Sequence, residues 1–287
     1  MPTCLFVSDL HGRADCYRKL CEAIASSAPD AVFLGGDLLP SAFPGAGTGE
    51  LPPGDFVFDF LAPRFRLLRQ TMQDRYPLVY LILGNDDPRS EEAAFLDAGA
   101  GGLWTYAHDR SFPFDRYTVY GYSHVPPTPF LMKDWERYDV SRYVDAGCVS
   151  PEEGMRSVPI SPNEARHATI ERDLRALAGS DPMEKAIFLF HSPPYRTKLD
   201  RAALDGKVID HVPMDVHIGS IGIRRFIELR QPLVTLHGHV HESARLSGSW
   251  RDRIGRTELF SAAHDGAELA LVRFDLDDPG AATRELL

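Results

Sequence analysis

Cys4-Leu5-Phe6-Val7-Ser8-Asp9-Leu10-His11 runs from four apolar residues straight into a carboxylate and an imidazole. A run that is apolar at every position has no polar face to turn to water, so it predicts a strand buried on both sides. The same grammar recurs along the chain. Residues 31–34 lead into Gly35-Gly36-Asp37, and 78–83 into Gly84-Asn85-Asp86-Asp87. Residues 186–190 lead into His191-Ser192-Pro193-Pro194, and 233–236 toward Gly238-His239-Val240-His241. A parallel sheet gathers the C-terminal ends of its strands along one edge, where α/β proteins hold their ligands. The five segments therefore converge on one pocket of oxygen and imidazole donors.

Between these strands the pattern is helical. Tyr17, Leu20, Cys21 and Ile24 share one helix face. Residues 40–54 hold four prolines and four glycines and read as a surface loop. A helix is expected over 55–73, kinked or split at Pro63, because proline has no N–H for the ladder. Ser90 is placed to cap a short helix with Glu91 and Glu92 in its first turn. This alternation marks a parallel α/β sheet. Short strands follow over 103–122, and 124–160 reads as an insertion or lid near the site. Ser161-Pro162-Asn163-Glu164 starts a helix reaching about 177, and another is expected over 220–229. After His241 the chain reads as an antiparallel meander, clearest at 269–276. With neither repeat nor long polar linker, 1–287 reads as a single domain.

Composition sets the bounds. At 287 residues, 44% hydrophobic and 25% charged, the chain can bury a sizeable core. A net charge of −10 argues against a nucleic-acid-binding surface, which would need Lys and Arg to neutralise phosphates. Cys4, Cys16, Cys21 and Cys148 form no CxxC pair and suggest no disulfide framework. Together with an N-terminus that lacks a signal-peptide pattern and no span of membrane length, they predict a cytoplasmic protein without a membrane segment.

Asp-x-His, Gly-Asp, Gly-Asn-x-Asp, His and Gly-His-x-His, each behind a strand, form an ordered series that resembles the calcineurin-like metallophosphoesterases from Asp9 to His241. The resemblance implies a four-layer α-β-β-α sandwich of two mixed sheets flanked by helices. It implies Asp9, His11, Asp37 and His241 as ligands of one divalent metal, and Asp37, Asn85, His191 and His239 as ligands of a second. Mixed carboxylate, imidazole and amide donors suit Mn, Fe, Zn or Ni without singling one out. The implied activity is hydrolysis of a small phosphorylated substrate, a monoester or diester, by a bridging hydroxide, with Asp37, Asn85, Asp86 and His239 central to catalysis.

One position departs from the family pattern. Many members carry a histidine after the asparagine that helps protonate the leaving group; here it is Asp86. An ionised Asp86 beside two dications cannot donate a proton. His124, His211 and His217 lie in loops that can supply another acid, while Arg196 and Lys198, just beyond His191, are candidate phosphate contacts. His237 is expected to support a ligand rather than be one. Residues 130–143 carry aromatics able to stack on a base. Two other readings stand beside the hydrolase of small substrates: a non-catalytic protein-binding module on the same scaffold, and a protein Ser/Thr phosphatase.

Overall fold

The computed structural model describes residues 2–41 and 54–287, so the loop expected at 40–54 lies outside it except at its ends. In chain order the strands are β1 (Thr3–Val7), β2 (Ala31–Gly35), β3 (Leu78–Ile82), β4 (Thr105–Tyr106), β5 (Arg110–Phe114), β6 (Tyr117–Tyr122) and β7 (Ala186–Phe190). They continue as β8 (Val208–Ile209), β9 (Val212–Pro213), β10 (Val234–His237), β11 (Arg251–Ile254), β12 (Thr257–Ser261), β13 (Ala270–Asp275) and β14 (Thr283–Leu286). The helices are α1 (Ala14–Ser27), α2 (Ala62–Met72), α3 (Glu92–Ala100), α4 (Pro162–His167), α5 (Ile170–Ala178), α6 (Ile221–Arg230) and α7 (Ser243–Ser247).

Two six-stranded mixed sheets form, ordered β14-β13-β1-β2-β3-β4 and β11-β12-β10-β7-β6-β5, with β8 and β9 as a separate hairpin. β1 to β4 run parallel, with β4 at one edge, and so do β6, β7, β10 and β12, while antiparallel strands close the other three edges. The continuous apolar runs are explained by burial on both faces. Cys4 and Phe6 of β1 meet Ile187 and Leu189 of β7 between the sheets. Leu5 and Val7 instead pack with Tyr17, Leu20 and Ile24 of α1, alongside α2 and α3. On the far side Phe188 and Phe190 lie under Leu174 of α5 and Ile223 and Phe226 of α6. The layers are helix, sheet, sheet, helix.

Several local readings are corrected. The segment expected as one helix over 161–177 is two, because Ala168 is extended and Thr169 caps a new start by accepting the N–H of Arg172. Ser90 caps nothing; it lies in a short 3-10 turn, Arg89–Glu91, that precedes α3. The break expected at Pro63 is there, as a π-helical turn Phe56–Leu61 handing over to α2 with Pro63 in its first turn, where the missing N–H costs nothing. The C-terminal strands are not one meander. β11 and β12 stay with β10 in one sheet, whereas β13 crosses to lie antiparallel to β1 in the other. The sequence carries no sign of that crossover, since both sheets present an equally apolar inner face.

Leu189 is fully buried in the inter-sheet core. Its replacement by Ala removes contacts to both sheets and is expected to lower unfolding free energy by about 3 kcal/mol, read by chemical denaturation.

Candidate metal centre

Continuing the β1–β2 ladder beyond the strands holds the first two ligand turns together. The Asp9 N–H donates to Gly36 O (3.0 Å), the His11 N–H to Asp37 O (2.8 Å) and the Gly12 N–H to Leu38 O (3.0 Å). This side-by-side course forces left-handed backbone at Asp9 (φ 58°), His11 (44°) and Asp37 (51°), and His239 adopts it too at 71°. Each such residue carries about 1–3 kcal/mol of strain, which persists only where surroundings impose it. From the other sheet, the His239 N–H donates to Asp9 Oδ1 (3.0 Å), and the Gly238 N–H to His191 O (2.9 Å). Gly84 and Gly238 sit where any Cβ would collide, at Gly84 with Asp37 and His191 and at Gly238 with Ser8 and Asp9.

The side chains form two clusters. Ligand atoms of Asp9, His11, Asp37 and His241 all lie within 4.8 Å of one another. Within that group His11 Nε2 and His241 Nε2 are 3.2 Å apart, and His241 Nε2 is 3.3 Å from Asp9 Oδ1. In the second cluster His191 Nε2 lies 3.3 Å from Asp37 Oδ2 and 3.0 Å from Asn85 Oδ1. The His239 ring packs against His191 with centroids 5.3 Å apart. Asp37 belongs to both clusters. All seven side chains expected as ligands are therefore brought together.

Their partners aim them. His191 Nδ1–H donates to Gly35 O (2.8 Å), which leaves Nε2 facing Asp37 and Asn85. The Asp86 N–H donates to Asp37 Oδ1 (2.8 Å), while the Asp86 carboxylate lies 3.2 Å from His11 Nδ1. The residue at the departing position thus touches a ligand rather than standing free as an acid. Asp87, fully buried, accepts the N–H groups of Leu38, Leu39 and Gly84 and so ties the turn after β2 to the turn after β3. His237, also buried, pairs with Ser192 O (2.9 Å) and Thr235 Oγ1 (2.8 Å) and touches no ligand side chain.

The electrostatics favour positive charge at the centre. Burial raises the Asp37 carboxyl, yet His191 and His11 outweigh it and hold Asp37 well below the ordinary carboxylate range. Burial opposes charging His11 and His191, but Asp86, Asp37 and Asp9 raise His11 to about 9, and Asp37 and Asp9 raise His191 to about 9. His239 goes the other way, to about 3, through burial and the neighbouring His191. Asp9 belongs to this cluster, and its Oδ2 is buried with no hydrogen-bond partner. An orphaned carboxylate oxygen beside convergent imidazole nitrogens fits a divalent cation of borderline hardness.

The other expected contacts fall differently. His124 is buried, accepts from Arg137 Nε (3.0 Å), is held far below its ordinary pKa by burial and by Arg137, and does not line the cleft beside the centre. Arg196 stacks over Tyr195 and Lys198 is exposed, with its N–H on Asp252; neither lines the cleft beside the centre. His211 stands exposed at the β8–β9 turn, also off the cleft. His217 does line it, together with His11, Asp37, Asn85, His239 and His241. The cleft holds about 800 Å³, and residues from the 124–160 stretch form one of its walls. Sequence reading passed over Asp87 and over Asp200, the buried partner of His217; their signal was only an Asx residue at a turn.

The chain matches the profile of the calcineurin-like phosphoesterases over residues 2–243 and belongs to that family. One solved structure shares 17% identity over 100% of this chain and 99% of its own, with a TM-score of 0.61. A protein of Thermus thermophilus shares 16% over 99% and 98%, with a TM-score of 0.55. A dimetal phosphatase from Danio rerio shares 11% over 95% and 91%, with a TM-score of 0.47. No curated protein matches the chain at a significant level. Four free thiols and, among the described residues, no helix long and apolar enough to cross a membrane complete the description.

Asp87→Ala strands three buried N–H groups and unties the two turns. It should cost about 3 kcal/mol in stability and weaken metal affinity about 10–100-fold, measured by thermal unfolding and by metal titration.

Proposed function

We propose that this chain hydrolyses a phosphoester of a small molecule at a centre of two divalent cations. Asp9, His11, Asp37 and His241 would hold one ion, and Asp37, Asn85, His191 and His239 the other. The observation that carries this reading is the Asp37 carboxylate shared by the two clusters, with the orphaned Asp9 oxygen beside it. Such ions supply Lewis acidity toward phosphoryl oxygens and lower the pKa of water. Asp37 stays ionised and oriented by the Asp86 N–H, and Asp86 with Gly35 O fixes the two imidazoles that face it. A purely protein-binding role gives no physical reason to bury carboxylates in such an arrangement at the end of an open cleft.

Leaving-group protonation is assigned to His217. Asp200, fully buried, accepts the N–H groups of Arg196 (2.8 Å), Thr197 (2.8 Å) and Gly219 (3.2 Å). Its remaining capacity takes His217 Nδ1–H at 2.9 Å. That bond orients the imidazole on the cleft wall, and Nε2 is the nitrogen we assign to proton donation to the leaving group. His217 thereby takes over the task that Asp86 cannot perform.

Two measurements test these assignments. Asp37→Ala should lose both metals, by elemental analysis, and lower turnover of a p-nitrophenyl phosphoester by more than the roughly 10–100-fold typical of losing an outer partner. A variant that keeps two metals and full activity overturns the site. His217→Ala should slow esters of poor, alkyl leaving groups about a hundredfold while changing p-nitrophenyl esters little, since an acid matters only when the departing oxygen needs a proton. Equal loss on both would assign His217 a structural role.

A further inference from the structure

The cleft that runs from the centre is unusual in its charge. Among the described residues that line it there is no Lys and no Arg, whereas Asp139, Asp145, Asp215 and Glu242 all do. Asp139 is spent on capping α6, accepting from Ser220 Oγ, Ile221 N–H and Gly222 N–H. Glu242 accepts the Ala203 N–H, and Asp215 the Tyr195 hydroxyl. Burial, with the nearby charge of Asp215 added to it, raises the Asp145 carboxyl above its ordinary range. Any second anionic group on a substrate would meet these carboxylates and, among the described lining residues, no Lys or Arg.

The walls are otherwise apolar and open. Tyr143 is 72% exposed, Val212 51% and Ile218 37%, and all three lie on this cleft with Leu204 and Met214. Large apolar side chains left in water on the concave faces of two opposing segments mark a surface that a ligand covers. The volume of about 800 Å³ is in the range that accommodates a drug-sized organic group.

Resting on the hydrolase reading, we propose that the substrate is a phosphoester of a large, uncharged, apolar alcohol. Its single anionic group sits at the Asp37 centre and its organic group along Tyr143, Leu204, Val212, Met214 and Ile218. Nucleoside di- and triphosphates, sugar bisphosphates and acidic phosphopeptides are disfavoured by the same walls, because each brings a second anion that finds no partner.

Binding and turnover together test this. Calorimetry on the Mn-loaded full chain would compare methylphosphonate, octylphosphonate, the octyl compound bearing a terminal carboxylate, and adenosine monophosphate. Octylphosphonate should bind at least about tenfold more tightly than methylphosphonate, from burial of its methylenes. The terminal carboxylate should erase that gain, and adenosine monophosphate should not exceed octylphosphonate. Met214→Lys should reverse the order, favouring the carboxylated chain, while thermal unfolding checks that the variant is folded. Affinity flat in chain length, equal affinity for the carboxylated compound, or tighter binding of the nucleotide overturns the proposal. Parallel assays of p-nitrophenyl methyl and octyl phosphodiesters separate it from the reading beneath. Chain-length-dependent binding without turnover keeps the apolar cleft and removes the hydrolase. Turnover of both esters with flat phosphonate affinities does the reverse.

Discussion

Asp9 and Asp37 are each only 3% exposed, between two sheets whose facing surfaces are otherwise apolar. Two carboxylates cannot be taken out of water at such a place unless their charge is met, and removing a partner from a buried charge costs about 3–5 kcal/mol. Imidazoles of His11, His191 and His241 and N–H groups from Asp86 and His239 meet it in part. Asp9 Oδ2 is left without a hydrogen-bond partner. Left-handed backbone at four ligand positions and glycine at Gly84 and Gly238 are what that crowding requires. Asp87 then locks the turns of β2 and β3 from behind, a further carboxylate accepted because three N–H groups surround it.

The buried strands and the convergence of the seven side chains expected as ligands were legible because both obey strong local rules. A strand covered on two faces has no choice but to be apolar throughout, as at 4–7 and 186–190, and a donor directly after it must lie on the sheet edge. Features that depend on tertiary contact were not legible. Nothing local distinguishes Thr169 as a cap inside a helical pattern, and only the extended Ala168 makes it one. The roles of His124 and His217 depend on neighbours remote in sequence: Arg137 and Trp135 enclose the first, and Asp200 holds the second on an open wall. Spacing gave the two histidines equal standing. Their surroundings separate them.

Asp86 shows how one substitution redistributes work in such a centre. A histidine at this position could donate a proton, whereas a carboxylate beside His11 can only accept and orient. In the proposed reading the acid comes instead from His217, whose Nδ1–H is held by Asp200. Moving the donor from the turn after β3 to the loop before α6 also moves it into the apolar part of the cleft. A proton delivered there serves a leaving group that lies along those walls.

Charge placement and substrate choice then follow from one constraint. The centre is where the cleft's interior can stabilise an anion, since its described lining offers no Lys or Arg. In the proposed reading, ions held at the Asp37 centre would draw a phosphoryl group there, while an additional anion would face Asp145 and Asp215. The organic group is left to find its free energy from burial alone, about 25 cal/mol for each Å² of apolar surface removed from water. Orientation needs no basic anchor under those terms. The phosphoryl end is fixed by charge, the other end by exclusion from water, and the ester bond between them is carried to the edge where the five strands end.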